Sequence, residues 1–302
     1  MKKSIVSLSL LVCLLLAACG GPAATTPEPE GEEPLHILAT TYPVYLFTTA
    51  ITQGVEGVEV SQLVNQQTAC LHDYTLTVND MKAIEKADVI VMNGAGLEDF
   101  MADALAQSDA AVIDCSEGIQ LLEAQGHEGH DHETEYDPHI WMDRTNALQM
   151  MQTIAFSLGD ADPHHDNAYL DNFSTAGAQM LNGISTSLDS NLEWPGLITF
   201  HDGFQYFAKA YSLNLLKAIE EEEGAETSAA EIKEIVGLIE EYHIPAIFTE
   251  RNGSDATAKA ISRETGCAVY QLDMIMSGDG TGIQPYIDAM TANLQTIAEA
   301  LK

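Results

Sequence analysis

The sequence predicts an α/β protein: two doubly wound lobes joined by one long rigid helix, with a metal site in the cleft between them. Three observations point there. Short apolar strands alternate with helices before residue 120 and again after residue 195. A helix-compatible stretch without internal proline lies between the two runs. Imidazoles and a carboxylate stand just past the strand ends, where open α/β sheets bind ligands.

In the first run, His36–Thr41 is a β-like segment and Val44–Thr52 a helix. Residues 58–64 alternate as a strand, and a polar loop carrying Cys70, His72 and Asp73 comes next. Thr77 with Asp80 three residues on reads as a capped start to a helix over Val78–Lys86. Asp88–Asn93 and Ala110–Asp114 are buried strands around a helix at Leu97–Ala106. A helix then runs from Thr145 to Leu158. The stretch from Pro163 to about Leu188 is the expected spine; 25 helical residues span about 38 Å. The second half places strands at 196–200, 213–218, 246–249 and 268–272, with helices at 203–210, 228–242, 255–265 and 285–301. The organisation expected is a leader over 1–18, a linker over 19–34, an N-terminal lobe over 35–160 with a His-rich loop at 124–136, a linking helix over 161–191 and a C-terminal lobe over 192–302. No Gly-rich phosphate loop joins a strand to a helix, which disfavours nucleotide binding.

Composition narrows the partners. Of 302 residues 46% are hydrophobic, enough for sizeable cores. Lys and Arg number 12 against 46 Asp and Glu, a net charge of −34, which argues against nucleic acid. The same charge fits attraction of cations or simple solubility. At the N-terminus, Lys2 and Lys3 precede an apolar run, Ile5–Leu16, that is short for a bilayer span. It ends in Leu16-Ala17-Ala18-Cys19, which resembles a bacterial lipobox. That resemblance implies cleavage before Cys19 and diacylation of its thiol, a firm membrane anchor. The Pro- and Glu-rich residues 20–34 would tether the body outside the membrane.

The candidate site residues are His72, after the 58–64 strand; His139, in YDPHIWMD; His201, after LITF; and Asp273, after VYQL. Two come from each half. Three imidazoles and a carboxylate form a tetrahedral N3O set suited to Zn²⁺. Each alone reads equally as a satisfied polar residue at a strand end, and Asp273 also as a cap for the next segment of chain. His127, His130 and His132 lie in a Gly, Glu and Asp tract that cannot pack a core but can hold a transition metal loosely.

The pieces CLHDYTLT (70–77), DPHIWMD (137–143), FHDGFQYFAKAY (200–211), residues 226–250 and YQLD (270–273), in this order and spacing, resemble the metal-binding lipoproteins that serve ABC importers of zinc and manganese. The resemblance covers nearly the whole body. It implies two α/β lobes on a rigid helix, an ion in the cleft, and delivery to a membrane permease driven by an ATPase. It matches His72, His139 and His201 to imidazole ligands, Asp273 to a carboxylate ligand, and Glu250 to a carboxylate behind them. Manganese-type members carry a carboxylate where His201 stands, so zinc is favoured and Mn²⁺ is the lesser alternative. Cys70 departs from the small or Pro residue of many relatives. The family is also associated with surface attachment, although no separate adhesive segment is present.

With Cys13 in the leader and Cys19 taken by the lipid, Cys70, Cys115 and Cys267 remain, an odd number outside the cytoplasm. A Cys70–Cys115 disulfide is expected to fix the His72 loop, with Cys267 a buried thiol. A carrier surrounds its ion with protein ligands, whereas a surface zinc hydrolase leaves one position to water. Four candidate ligands and no HExxH pair favour a monomeric, non-enzymatic carrier.

Overall fold

The computed structural model describes residues 33–64, 74–124, 136–188, 192, 194–219 and 227–302. Cys19, Cys70, His72, His127, His130 and His132 lie outside the described residues. The folded body is Pro34–Lys302.

Two four-stranded parallel sheets form the body. The first contains β1 (Leu35–Ala39), β2 (Val58–Gln62), β3 (Val89–Met92) and β4 (Ala111–Asp114), in the order β2-β1-β3-β4. The second contains β5 (Gly196–Thr199), β6 (Asn214–Ala218), β7 (Ala246–Glu250) and β8 (Ala268–Leu272), in the order β6-β5-β7-β8. Both therefore reverse direction of winding between their first and third strands, and a crevice opens beyond the carboxyl ends at that point. In the first sheet this is where Thr40 and Asn93 emerge, and in the second where Phe200, His201 and Glu250 do.

Helices α1 (Tyr42–Ile51), α2 (Val78–Lys86), α3 (Ala102–Leu105), α4 (Arg144–Ala161), α5 (Asp166–Gly183), α6 (Gln205–Ala210), α7 (Ala229–Tyr242), α8 (Ala256–Thr265) and α9 (Gln284–Ala300) complete the body. The start of α2 is the expected one: the Thr77 side chain accepts from Asp80 N, and the Asp80 carboxylate accepts from Thr77 N. Ser228 and Glu231 make the same reciprocal cap at α7. The helix expected at 97–106 is instead a 3₁₀ turn, Asp99–Met101, followed by the short α3. Glu98 turns its carboxylate back onto Asn93 N and Gly94 N, so the chain coils tightly there.

The linking helix is shorter than expected. Its 18 residues, Asp166–Gly183, span about 27 Å. Upstream, Asp162 accepts from His165 Nδ1 at 2.7 Å and from Tyr169 Oη at 2.8 Å, which fixes a turn where helix was expected to begin. Downstream, Gly183 is a poor helix residue, Ile184 is extended, and the Ser185 hydroxyl donates to Ser187 O. α4 and α5 form a helical hairpin, and α1 and α9 pack on it. Phe47 of α1 and Tyr286 of α9 meet edge to face at 5.1 Å. One continuous apolar core runs from the first sheet through these helices to Leu272 and Leu301. A smaller cluster lies beneath α7 and α8.

Glu98 is the buried polar centre of the first sheet's crevice. Its carboxylate accepts from Thr40 Oγ1 at 2.6 Å, Asn93 N at 2.8 Å and Gly94 N at 3.0 Å. Burial, only partly offset by these donors, raises its pKa from 4.5 to about 7. The folded state thus holds a proton that the unfolded chain releases near pH 4.5. The resulting stability is complete below that pH and is lost as pH rises toward 7, an effect of about 3 kcal/mol. Urea midpoints should therefore fall between pH 5 and 7.5 more steeply in the wild type than in Glu98→Gln; equal slopes would contradict this assignment.

Candidate functional site

The two halves of the chain meet at a pair of imidazoles. His139 leaves the loop after β4 as the residue preceding a one-turn 3₁₀ helix, Ile140–Met142. Its entry is fixed from below, where Asn93 Nδ2 donates to Pro138 O at 2.9 Å. Its ring is oriented by Asp137, whose Oδ1 accepts from His139 N at 2.9 Å and lies 2.8 Å from His139 Nδ1. His201 comes two residues after the end of β5, and its Nδ1 lies 3.5 Å from Glu250 Oε2 at the end of β7. The two Nε2 atoms face each other at 3.4 Å, and the rings cross at 86°.

That separation has a chemical meaning. Two nitrogens each about 2.05 Å from a tetrahedral ion are about 3.3 Å apart. A carboxylate at each Nδ1 favours the tautomer in which Nε2 carries the lone pair, the usual arrangement behind a metal-bound histidine. Two facing lone pairs call for a proton or a cation between them.

The surroundings hold both rings in place. Gly203 permits the approach: a Cβ there would lie 2.1 Å from Met274 Cε and about 3 Å from both rings (3.0 Å from His201 Cδ2, 3.1 Å from His139 Cδ2). Trp141, fully buried, donates from Nε1 to Met274 O at 2.9 Å, and Tyr286 Oη donates to Trp141 O at 2.6 Å. Burial disfavours charge on His139, but the Asp137 hydrogen bond and charge, with Asp202 and Glu250, raise its pKa above 6.5 on balance. Burial raises Glu250 from 4.5 to about 7; His139 opposes this shift and Asp273 adds to it.

Of the four residues expected to share an ion, the structure brings His139 and His201 together. His72 lies outside the described residues. Asp273 emerges from β8 as expected, but its Oδ2 is 2.8 Å from Arg251 Nη1 and its Oδ1 accepts from Ile275 N at 2.8 Å. Among the described residues, no three His, Cys, Asp or Glu side chains are grouped closely enough to hold an ion. Ile275 has φ 62°, a conformation costly for a β-branched residue, and Asp273 Oδ1 helps hold it there. Glu250, expected behind the ligands, has its Oε2 3.5 Å from His201 Nδ1. The expected Cys70–Cys115 disulfide involves Cys70, which lies outside the described residues; Cys115 is a free thiol with no exposed surface, packed beneath the first crevice, where burial raises its pKa. Cys267 is a buried thiol, as expected.

Sequence reasoning missed the supporting residues Asp137, Gly203, Met274 and Arg251. Asp137 could have been found, because a carboxylate two residues before a histidine can cap its backbone and reach its ring. Met274 and Arg251 give no such local signal.

Comparison with known proteins shows the family. The family model described as zinc-uptake complex component A, periplasmic (ZnuA), matches residues 37–300. The high-affinity zinc uptake system protein ZnuA of Bacillus subtilis is 28% identical over 309 residues, covering 95% of this chain and 94% of that protein. The zinc-binding lipoprotein AdcA of Streptococcus pneumoniae is 26% identical over 321 residues; the match covers 99% of this chain and 61% of AdcA, so the chain spans about three fifths of that relative. A crystal structure of ZnuA superposes with a TM-score of 0.73 at 26% identity, over 89% of this chain and 100% of that one. The SBP FpvC from P. aeruginosa in complex with Ni²⁺ superposes with a TM-score of 0.72 at 25% identity, over 89% and 97%. The chain belongs to the ZnuA family, the periplasmic A component of zinc-uptake complexes.

Proposed function

We propose that this chain is the extracytoplasmic zinc-binding component of an ABC importer, taking Zn²⁺ between its lobes and handing it to a membrane permease coupled to an ATPase. The observation that carries the reading is the pair of Nε2 atoms 3.4 Å apart, one from each half of the chain, each ring backed by a carboxylate. In this reading His72, His139, His201 and Asp273 surround the ion, and Glu250 orients His201. Such a shell leaves water no place and gives a carrier rather than a hydrolase. Nitrogen donors favour zinc over manganese, although relatives of this fold include a nickel complex.

Asp273 must exchange Arg251 for the ion. Arg251 is 67% exposed, and an ion pair so open to water contributes at most about 1 kcal/mol, so the exchange costs little. The continuous core across both halves, with Trp141 and Tyr286 bonded through it, supports small movement on loading. Cys19 would carry the lipid that keeps the protein at the outer face of the membrane as a monomer. No helix among the described residues is long and apolar enough to cross a membrane. His127, His130 and His132 would gather zinc outside the cleft.

Three outcomes test the proposal. Elemental mass spectrometry of protein purified without added metal should find close to one zinc per chain. His201→Ala should lose it, with affinity falling by more than the roughly 10–100-fold that removal of a backing group costs; retained stoichiometric zinc would exclude His201 as a ligand. His201→Glu, with one nitrogen replaced by oxygen, should shift the preference toward Mn²⁺ in competition titrations. An unchanged preference would leave His201 without a role in metal choice.

Proton competition is the second test. An imidazole must be neutral to bind, and His139 holds its proton to a higher pH than a free imidazole does. Zinc affinity should therefore already be declining as pH drops toward 6.5, and should keep falling below it. A profile flat down to pH 5.5 would contradict His139 as a ligand. In the third test, removing residues 125–135 should leave one tight site by calorimetry, because His139 is fixed by groups outside that segment; loss of all tight binding would place the site in the loop.

A further inference from the structure

The phenol of Tyr206 joins three things that the chain keeps far apart. Tyr206 lies on α6 of the second half, is 2% exposed, and sits three residues beyond Gly203, where a side chain would crowd both imidazoles. Its oxygen accepts from Leu122 N at 3.0 Å and donates to Asp137 O at 3.0 Å. Leu122 and Asp137 are the two sides of one neck. Asp137 N donates to Leu122 O at 2.9 Å, and Glu123 and Tyr136 pair as an antiparallel bridge just beyond. One buried hydroxyl from the second half thus closes the base of the 123–136 segment of the first.

The consequence falls on Asp137. Its backbone N–H is held by Leu122, its carbonyl by Tyr206, and its Oδ1 takes both His139 N and His139 Nδ1. With the peptide groups on both sides pinned, the carboxylate has little freedom, and neither does the ring that it orients. Burial raises the phenol to about 12, so it stays a donor at any physiological pH.

We propose that Tyr206 is a positioning residue for metal capture: by clamping Leu122 and Asp137 together it sets the Asp137 carboxylate and, through it, the His139 imidazole against His201. The proposal rests on His139 being an ion ligand. Tyr206 contacts neither imidazole through its hydroxyl, so its effect must pass through Asp137, and this separates the role from simple structural support. Residues that orient a metal-binding histidine typically change affinity 10–100-fold.

The test is a double-mutant cycle on the mature full chain, titrated with Zn²⁺ against a chromophoric chelator. Tyr206→Phe keeps the ring and removes only the hydroxyl. It should weaken Zn²⁺ about tenfold and alter the visible absorption of the Co²⁺-loaded protein, which reports ligand geometry. Asp137→Asn should weaken Zn²⁺ 10–100-fold, and the double variant should be no weaker than Asp137→Asn alone. Metal-free thermal melts accompany each variant. A lower melting temperature with unchanged Zn²⁺ affinity and Co²⁺ spectrum would make Tyr206 merely structural and overturn the proposal. Losses that multiply in the double variant would overturn it too, because Tyr206 would then act apart from Asp137. His139→Ala is the control for the underlying site: if it retained wild-type affinity, the reading of His139 would fail, whatever Tyr206 does.

Discussion

Two imidazole nitrogens pointing at each other across 3.4 Å set the terms for the rest of the molecule. Neutral rings that both turn a lone pair toward the gap repel unless a cation or a proton lies between them. Holding them so takes a scaffold that resists the repulsion, and the fold supplies it from both sides. Asp137 and Asn93 fix His139, β5 and Glu250 place His201, and Gly203 removes the side chain that would separate them. The Trp141–Met274 and Tyr286–Trp141 hydrogen bonds cross the seam between the halves within an apolar core, where they are shielded from water.

The two sheets share one strand order but use their crevices differently. Each carries a buried glutamate on its third strand or on the turn that follows it, Glu250 and Glu98 respectively, and burial raises both to about 7. Glu98 faces backbone donors and Thr40, and its task is to fold the turn that supports Asn93 and Pro138. Glu250 faces an imidazole. A repeated architecture thus gives one crevice a carboxylate that braces a turn and the other a carboxylate behind an imidazole, and the imidazole pair itself lies at the seam between the halves.

Much of this was legible in the sequence. The eight strands were found because short apolar runs bounded by turn residues carry a period and a length that helices do not. The cap at Thr77 was read from the side-chain chemistry of helix starts; the Ser228–Glu231 cap carries the same signal and went unread. His201 drew attention because it stands just past a strand end, and His139 because the YDPHIWMD stretch constrains it after the β4 loop. The length of α5 was misjudged because nothing in the local pattern shows that Asp162 will bind His165 and Tyr169, or that Gly183 and Ser185 will stop the helix. Glu98 stayed hidden in a stretch that reads as an ordinary helix. The Asp273–Arg251 pair was missed because its members are 22 residues apart and join only when β7 and β8 align. Cys115 looked available for a disulfide because its position after a strand suggests a loop; its complete burial shows in packing alone.

The most direct test of the account is zinc K-edge X-ray absorption on the loaded protein. It predicts a four-coordinate ion with three imidazole nitrogens and one oxygen, all at about 2.0–2.2 Å, and no sulfur. A sulfur scatterer at about 2.3 Å, or a shell with fewer than two imidazoles, would contradict it.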